Sequence, residues 1–224
     1  MFKYELHTHS SPCSGGGDDI KNHIEMLRKK GFAGMVITNH FYRGDTKIAR
    51  TLPWADFVDA YAEDYEKGKK IARLYDFDLL FGIEEHIGDG REILIYGITP
   101  DFLYKHPELK RADINEYVAL VHKEGGLVFQ AHPYRDRWYI AKPTPIEEFP
   151  ILDGIEVYNA GNHGEENDKA EAFAREKNLR CIAGSDAHDA AQAGRAGIIS
   201  NLRLRNEKEL VACLKNGNYR IYKG

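Results

Sequence analysis

The feature that most restricts the fold of this 224-residue chain is a regular alternation of short apolar runs with segments of helical periodicity. FKYELH (2–7), AGMVIT (33–38), DLLFGIE (78–84), EILIYGI (92–98), GLVFQAH (126–132), DGIEVYN (153–159) and LRCIAGSD (179–186) read as strands, brief and bounded by turn residues. Between most of them lie helices. Over 18–31, Ile20, Ile24 and Leu27 form an apolar stripe, Asp18 or Asp19 can cap the start, and Gly31 stops the helix. Over 54–75, Trp54, Phe57, Val58, Tyr61, Tyr65 and Ile71 recur at helical spacing, and Pro53 suits the first turn. Further helices are predicted at 114–124, 165–177 and 207–215, with a loop holding one short helix over 134–150. AGIIS and a short last strand close the chain. Such alternation predicts an α/β protein of parallel strands joined by helical crossovers, a distorted TIM-barrel-like (β/α)7 barrel forming a single domain over 1–224. In that architecture the chemistry gathers at the C-terminal ends of the strands.

The residues at those ends are of one chemical kind. The runs finish in His7-Thr8-His9, Thr38-Asn39-His40, Glu84-Glu85-His86, Ala131-His132-Pro133, Tyr158-Asn159 and Ser185-Asp186-Ala187-His188. Residues two apart on a strand face the same side, so His7/His9, Glu84/His86 and Asp186/His188 can each present two ligands to one site. Any one of these residues has an ordinary alternative: a core histidine bonded to a carbonyl, or a carboxylate capping a helix. Five strand ends that each supply a ligand-type side chain point instead to a shared metal centre, and imidazole mixed with carboxylate suits Zn²⁺, Mn²⁺ or Fe²⁺. His23 and His122 within helices and His106 before Pro107 read as structural or surface residues.

Composition narrows the partners. The net charge of −4 argues against a broad electrostatic grip on nucleic acid, and no basic stripe with interleaved aromatics appears, so a long nucleic acid is not favoured. No apolar stretch approaches the roughly 20 residues of a membrane helix, and MFKYELHTHS has no apolar core of a signal peptide. Cys13, Cys181 and Cys213 fit neither a disulfide framework nor a zinc knuckle, which leads to the expectation of a cytoplasmic protein with reduced thiols.

Taken in order, LHTHS (6–10), ITNH (37–40), GIE (82–84), QAHP (130–133), IEVYN (155–159) and AGSDAH (183–188) resemble the motifs of the PHP (polymerase and histidinol phosphatase) family, and they span nearly the whole chain. The resemblance implies a distorted (β/α)7 barrel, two or three divalent metal ions and hydrolysis of a phosphoester by a metal-activated water. It implies His7 and His9 as ligands of the first motif, His40 of the second, Glu84 as a bridging carboxylate, His132 as the ligand before proline, and Asp186 and His188 as the last pair. Asn39 stands where the family often has Asp. A further ligand is expected in the 10–19 loop, where Asp18 is chosen over Asp19 or Cys13. Another family histidine would fall at Leu94, and His86 is the candidate to replace it.

Asp186, His188 and Glu84 are therefore the expected catalytic groups, with His188 a candidate to protonate the leaving group. Arg135 and Arg43 are candidates for gripping phosphate, since each closely follows a ligand histidine and a guanidinium can make two parallel hydrogen bonds. Arg137, Trp138, Tyr139 and His163 are candidates for the same rim. The substrate expected is a small phosphomonoester, a nucleotide or a phosphodiester; oligomeric state stays open. Two other readings use the same residues. Amidohydrolase-type cleavage of an amide would be favoured by a carboxylated lysine, and the strand ends carry none. A non-catalytic metal-binding domain would show loss of several ligands.

Overall fold

A computed structural model describes residues 1–12, 17–146 and 152–224. Its strands are β1 (Phe2–Glu5), β2 (Gly34–Ile37), β3 (Asp78–Gly88), β4 (Arg91–Tyr96), β5 (Leu127–Gln130), β6 (Gly154–Asn159), β7 (Arg180–Gly184), β8 (Ala196–Ser200) and β9 (Tyr219–Lys223). Its helices are α1 (Ile20–Lys29), α2 (Trp54–Leu74), α3 (Pro100–Lys105), α4 (Ile114–Lys123), α5 (Glu166–Lys177) and α6 (Glu207–Asn216). Asp19 rather than Asp18 caps α1, accepting from Lys21 N at 2.7 Å, and Asp113 with Glu116 forms a capping box on α4. Among the described residues no helix is long and apolar enough to cross a membrane.

The strands form one sheet ordered β7-β6-β5-β4-β3-β2-β1-β8-β9, curled into a nearly closed barrel. The pairs β1/β2, β2/β3, β5/β6 and β6/β7 are parallel, as the alternation predicts. β4 is the exception inside the barrel. It runs antiparallel to both β3 and β5, because a tight turn rather than a helix follows β3. Asp89 and Gly90 take φ of 56° and 78°, the left-handed pair that a two-residue hairpin requires.

Strand alternation separates two apolar layers. Tyr4, Val36, Leu80, Leu94, Tyr96, Leu127, Phe129 and Ile182 point inward as one cluster, and Leu210, Val211 and Leu214 of α6 join it from below. The intervening residues, among them Met35, Ile37, Leu79, Phe81 and Val128, pack outward against Ile24 and Leu27 of α1 and Phe57 and Tyr61 of α2. Above the inner cluster, at the C-terminal ends of the parallel strands, the lining turns polar.

The seam of the barrel differs at its two ends. Near the floor β8 pairs antiparallel with β1, Tyr4 opposite Ile198. At the mouth the extensions of β1 and β7 meet directly: Thr8 bridges Ala187, His9 N donates to Ala187 O at 2.9 Å, and Asp186 N donates to His7 O at 2.9 Å. That closure brings the first and last motifs together.

Candidate metal centre

Each group at the mouth is set by its strand. Beyond β2, Phe41 N donates to Glu84 O (2.8 Å) and Glu84 N to Asn39 O (3.0 Å), so His40 lies beside Glu84. Asn39 also fixes the segment after His9: its Oδ1 accepts from Ser10 N at 2.7 Å and its Nδ2 donates to Ser10 Oγ at 3.0 Å. His132 and Asp186 hold φ of 26° and 53°, a region costly for residues with side chains and frequent at functional sites.

The side chains converge on Glu84. Its carboxylate lies 3.1 Å from His7 Nε2, 3.3 Å from His9 Nε2, 3.0 Å from His40 Nδ1 and 3.2 Å from His132 Nε2. Asp186 Oδ1 lies 3.4 Å from His7 Nε2 and 3.1 Å from His9 Nε2. The His188 ring stacks on that of His9 with centroids 4.2 Å apart, and the His40 ring lies 4.5 Å from that of His9. Among the described residues, three overlapping groups have ligand atoms close enough to share an ion: His7, His9, Glu84 and Asp186; His9, His40 and His188; and His40, Glu84 and Glu92.

Two observations test whether this set fits divalent cations. His7 Nε2, His40 Nδ1 and Glu84 Oε2 are buried and make no hydrogen bond of acceptable geometry among the described residues. Leaving such atoms unsatisfied is expensive unless something binds them. Donor atoms held at about 2.0–2.2 Å from one ion stand about 2.9–3.5 Å apart, the spacing found around Glu84. The residues fit.

The electrostatics agree. Burial disfavours a charged His7, but Asp186, Glu84 and Glu156 outweigh it and hold the imidazole well above its usual range. His40 behaves likewise: burial lowers it, Glu84 and Glu92 raise it, and it settles at about 9. Burial works against ionised Glu84 and Asp186 too, yet His7 and His40 keep the first, and His7 and Arg135 the second, well below the carboxylate range. Protons on His7 and His40 thus occupy places where a cation would bind. His9 and His188 are pushed down, mainly by burial and with neighbouring imidazoles adding to it, and stay neutral with lone pairs available. A neutral His188 suits a ligand better than the proton donor expected from sequence.

Residues 164–219 match the family model for PHP-associated sequences, on the segment that carries the last motif. Over that segment the match agrees with the resemblance that the motifs carry. Its fold is similar to that of a two-domain protein from Bacteroides vulgatus, described as containing a predicted PHP-like metal-dependent phosphoesterase, at TM-score 0.73 and 17% identity; the alignment covers 99% of this chain and 64% of that one. A protein from Bifidobacterium adolescentis, described as a metal-dependent phosphoesterase, matches at TM-score 0.60 and 16% identity over 95% of this chain and 96% of that one. An amidohydrolase from Chromobacterium violaceum with bound sulfate and no metal matches at TM-score 0.63 and 15% identity, over 99% and 98% of the two chains. No curated protein matches the sequence. At these identities the structural likenesses establish the fold.

Within this barrel the remaining candidates part company. Arg135 is at the centre: its Nη2 contacts Asp186 Oδ2 at 2.7 Å and donates to Asn159 Oδ1 at 2.9 Å, while Nε donates to Asn162 Oδ1 at 3.0 Å. Arg43 is not. Its Nη2 donates to Ala112 O and its backbone N to Glu85 Oε1, on the outer face of β3. His86 is turned away, its ring nitrogens 3.3 and 3.2 Å from the amides of Gly88 and Gly90 in its own hairpin. Asp18 neither caps α1 nor joins the cluster. Its Oδ2 accepts from Ala190 N at 2.9 Å and its N–H donates to His188 O at 2.8 Å, which secures the loop bearing His188. Cys13 lies outside the described residues. Arg137 is paired with Glu166, and Trp138 is 96% exposed. His23 is fully buried on α1 rather than at the surface.

Two functional carboxylates escape the reading of strand ends. Glu156, buried in the middle of β6, takes His7 Nδ1 at 3.0 Å, accepts from His132 N at 3.0 Å and from Asn159 Nδ2 at 2.8 Å. It orients two of the histidines, as outer carboxylates do in metal sites. A charged residue inside an otherwise apolar run was the available signal. Glu92, at the start of β4, lies 3.5 Å from His40 Nδ1 and 3.4 Å from His132 Nε2. Its signal was the Asp89-Gly90 turn, which reverses the strand and lifts its first residues to the mouth.

Proposed function

We propose that the chain is a metal-dependent phosphoesterase of the cell interior acting on a small phosphorylated substrate: a phosphomonoester, a nucleotide or a phosphodiester. The observation that carries this reading is the ring of imidazoles around Glu84 and Asp186, with ring nitrogens facing carboxylate oxygens at 3.0–3.4 Å. His7, His9, His40, Glu84, His132, Asp186 and His188 would hold two or three Zn²⁺, Mn²⁺ or Fe²⁺ ions. Such ions supply Lewis acidity and a water acidified towards neutral pH.

The chain's own residues account for the rest. Glu84 and Asp186 remain ionised and supply the negative charge that draws cations to the mouth. Asn159 and Asn162 hold the Arg135 guanidinium through Nε and Nη2, and among the described residues no acceptor engages Nη1. That free edge is suited to a phosphoryl oxygen.

The test joins elemental analysis of protein purified without chelator to a substrate panel of p-nitrophenyl phosphate, its diester, nucleotides and cyclic amides. Two or more ions per chain and phosphate release, both reduced in Asp186→Ala, are expected. Amide cleavage without phosphate release would transfer the site to the amidohydrolase class. Failure to take up any ion from added metal would sink the hydrolase reading altogether.

A further inference from the structure

Glu92 enters the site by an unusual route. Glu92, Leu94 and Tyr96 alternate onto the inner face of β4; Leu94 and Tyr96 lie in the apolar cluster, one and two layers down. Because β4 runs antiparallel, Glu92 is the residue left at the mouth, with its backbone held by Ala131 N donating to Glu92 O at 3.0 Å. The Leu94 position, opposite Glu84 in the hairpin register, contributes only packing.

The surroundings of the Glu92 carboxylate are those of a ligand. Oε1 faces His40 Nδ1 at 3.5 Å and Oε2 faces His132 Nε2 at 3.4 Å, and both histidines also face Glu84, at 3.0 and 3.2 Å. His40 Nδ1 is buried with no hydrogen bond among the described residues. The ligand atoms of His40, Glu84 and Glu92 lie close enough to share one ion, and His132 Nε2 borders that group, 3.2 Å from Glu84 and 3.4 Å from Glu92.

We infer that Glu92 is a metal ligand, completing with His40 and Glu84, and with His132 at its edge, a second cation subsite of imidazole and carboxylate donors. A carboxylate in place of a third imidazole makes this subsite harder, which favours Mn²⁺ relative to Zn²⁺ compared with a histidine there. The inference rests on the metal-centre reading of the mouth but not on the identity of the substrate.

The experiment is titration of chelator-stripped protein with Mn²⁺ and with Zn²⁺, read by calorimetry and by elemental analysis after desalting, for wild type, Glu92→Gln, Glu92→His and Asp186→Ala. Circular dichroism checks that each variant is folded. Glu92→Gln should lose one bound Mn²⁺, or bind it at least about tenfold more weakly. Asp186→Ala should instead weaken the ion held by His7 and His9. Glu92→His should restore the count with the Zn²⁺/Mn²⁺ affinity ratio raised. Unchanged Mn²⁺ stoichiometry and affinity in folded Glu92→Gln would overturn the inference, and an unchanged ratio in Glu92→His would remove its claim about hardness. If Glu92→Gln loses an ion while the wild type hydrolyses no phosphoester, the ligand stands and only the proposed reaction falls. If the wild type hydrolyses phosphoesters while Glu92→Gln keeps every ion in place, the reaction stands and the ligand falls.

Discussion

At the mouth of the barrel, protons and metal ions compete for the same nitrogen atoms. His40 is held at about 9 and His7 well above its usual range by the carboxylates beside them, against the pull of burial. Loading an ion at pH 7 must therefore expel protons. Calorimetry in buffers of different ionisation enthalpy should show net proton release, and affinity should tighten as pH rises towards about 9. Affinity independent of pH between 6 and 9 would contradict the assignment of His40 as a ligand. Arg135 supports a second prediction at this scale. Arg135→Ala removes the cation beside Asp186 and the proposed phosphate donor, and should lower kcat/KM by about 10²-fold. Arg135→Lys should recover little, because an ammonium cannot span Asn159, Asn162 and Asp186 as the planar fork does. Arg43→Ala should leave kcat/KM near wild type, since that guanidinium is spent on Ala112 O.

Among the elements, the pairing of β1 with the extension of β7 matters most, because it joins the two halves of the ligand set. Glu5 pins it. Its carboxylate accepts from His7 N (3.3 Å), Ser185 N (2.8 Å), Gly194 N (3.0 Å) and Ser185 Oγ, and Ser185 Oγ in turn accepts from Arg195 N and Ala196 N. Gly184 lets the strands approach: a Cβ there would lie 2.3 Å from His7 Cβ and 2.9 Å from Glu156 Oε1. Gly184→Ala should cost about 1–3 kcal/mol of stability, as overpacking does. It should also weaken metal binding, because the atom it displaces belongs to a ligand. A denaturant midpoint and a metal titration on the same preparation check both, and a variant that loses neither would show the seam to be looser than these distances imply. The β3–β4 hairpin is the other decisive element, since its reversal sets Glu92 beside His40 and His132.

For the whole molecule, the buried charges set how stability depends on pH once metal is stripped. Burial pushes Glu5 and Glu85 up to about 7 from 4.5, despite the donors around each. His40 is raised to about 9 from 6.5, and His7 and His132 are raised as well. A group raised in the folded state contributes stability that is complete below its unfolded value and lost as pH climbs through the folded one. Chelated protein should therefore lose stability steadily from about pH 4.5 to about 9, while Glu84 and Asp186, held low, make it lose stability in stronger acid. Added Mn²⁺ or Zn²⁺ should stabilise more as pH rises, since fewer protons need displacing. Denaturant midpoints across pH with and without chelator measure both trends, and a midpoint that rises with pH in chelator would refute the first. At this scale the division between sequence and structure is also plain. Strand and helix alternation, and the ligand-type residues closing His7-Thr8-His9, Asn39-His40, His132-Pro133 and Asp186-Ala187-His188, are local patterns, legible because periodicity and turn chemistry act over a few residues. What only the tertiary structure decided is which of these groups meet. Arg43 and His86 follow the motifs in sequence yet face the outer wall and a hairpin turn, whereas Glu92 and Glu156, read as parts of strands, reach the histidines. The physical reason is that a side chain's destination depends on strand direction, register and the closing of the seam, and these follow from pairings between residues far apart in the chain, such as Thr8 with Ala187.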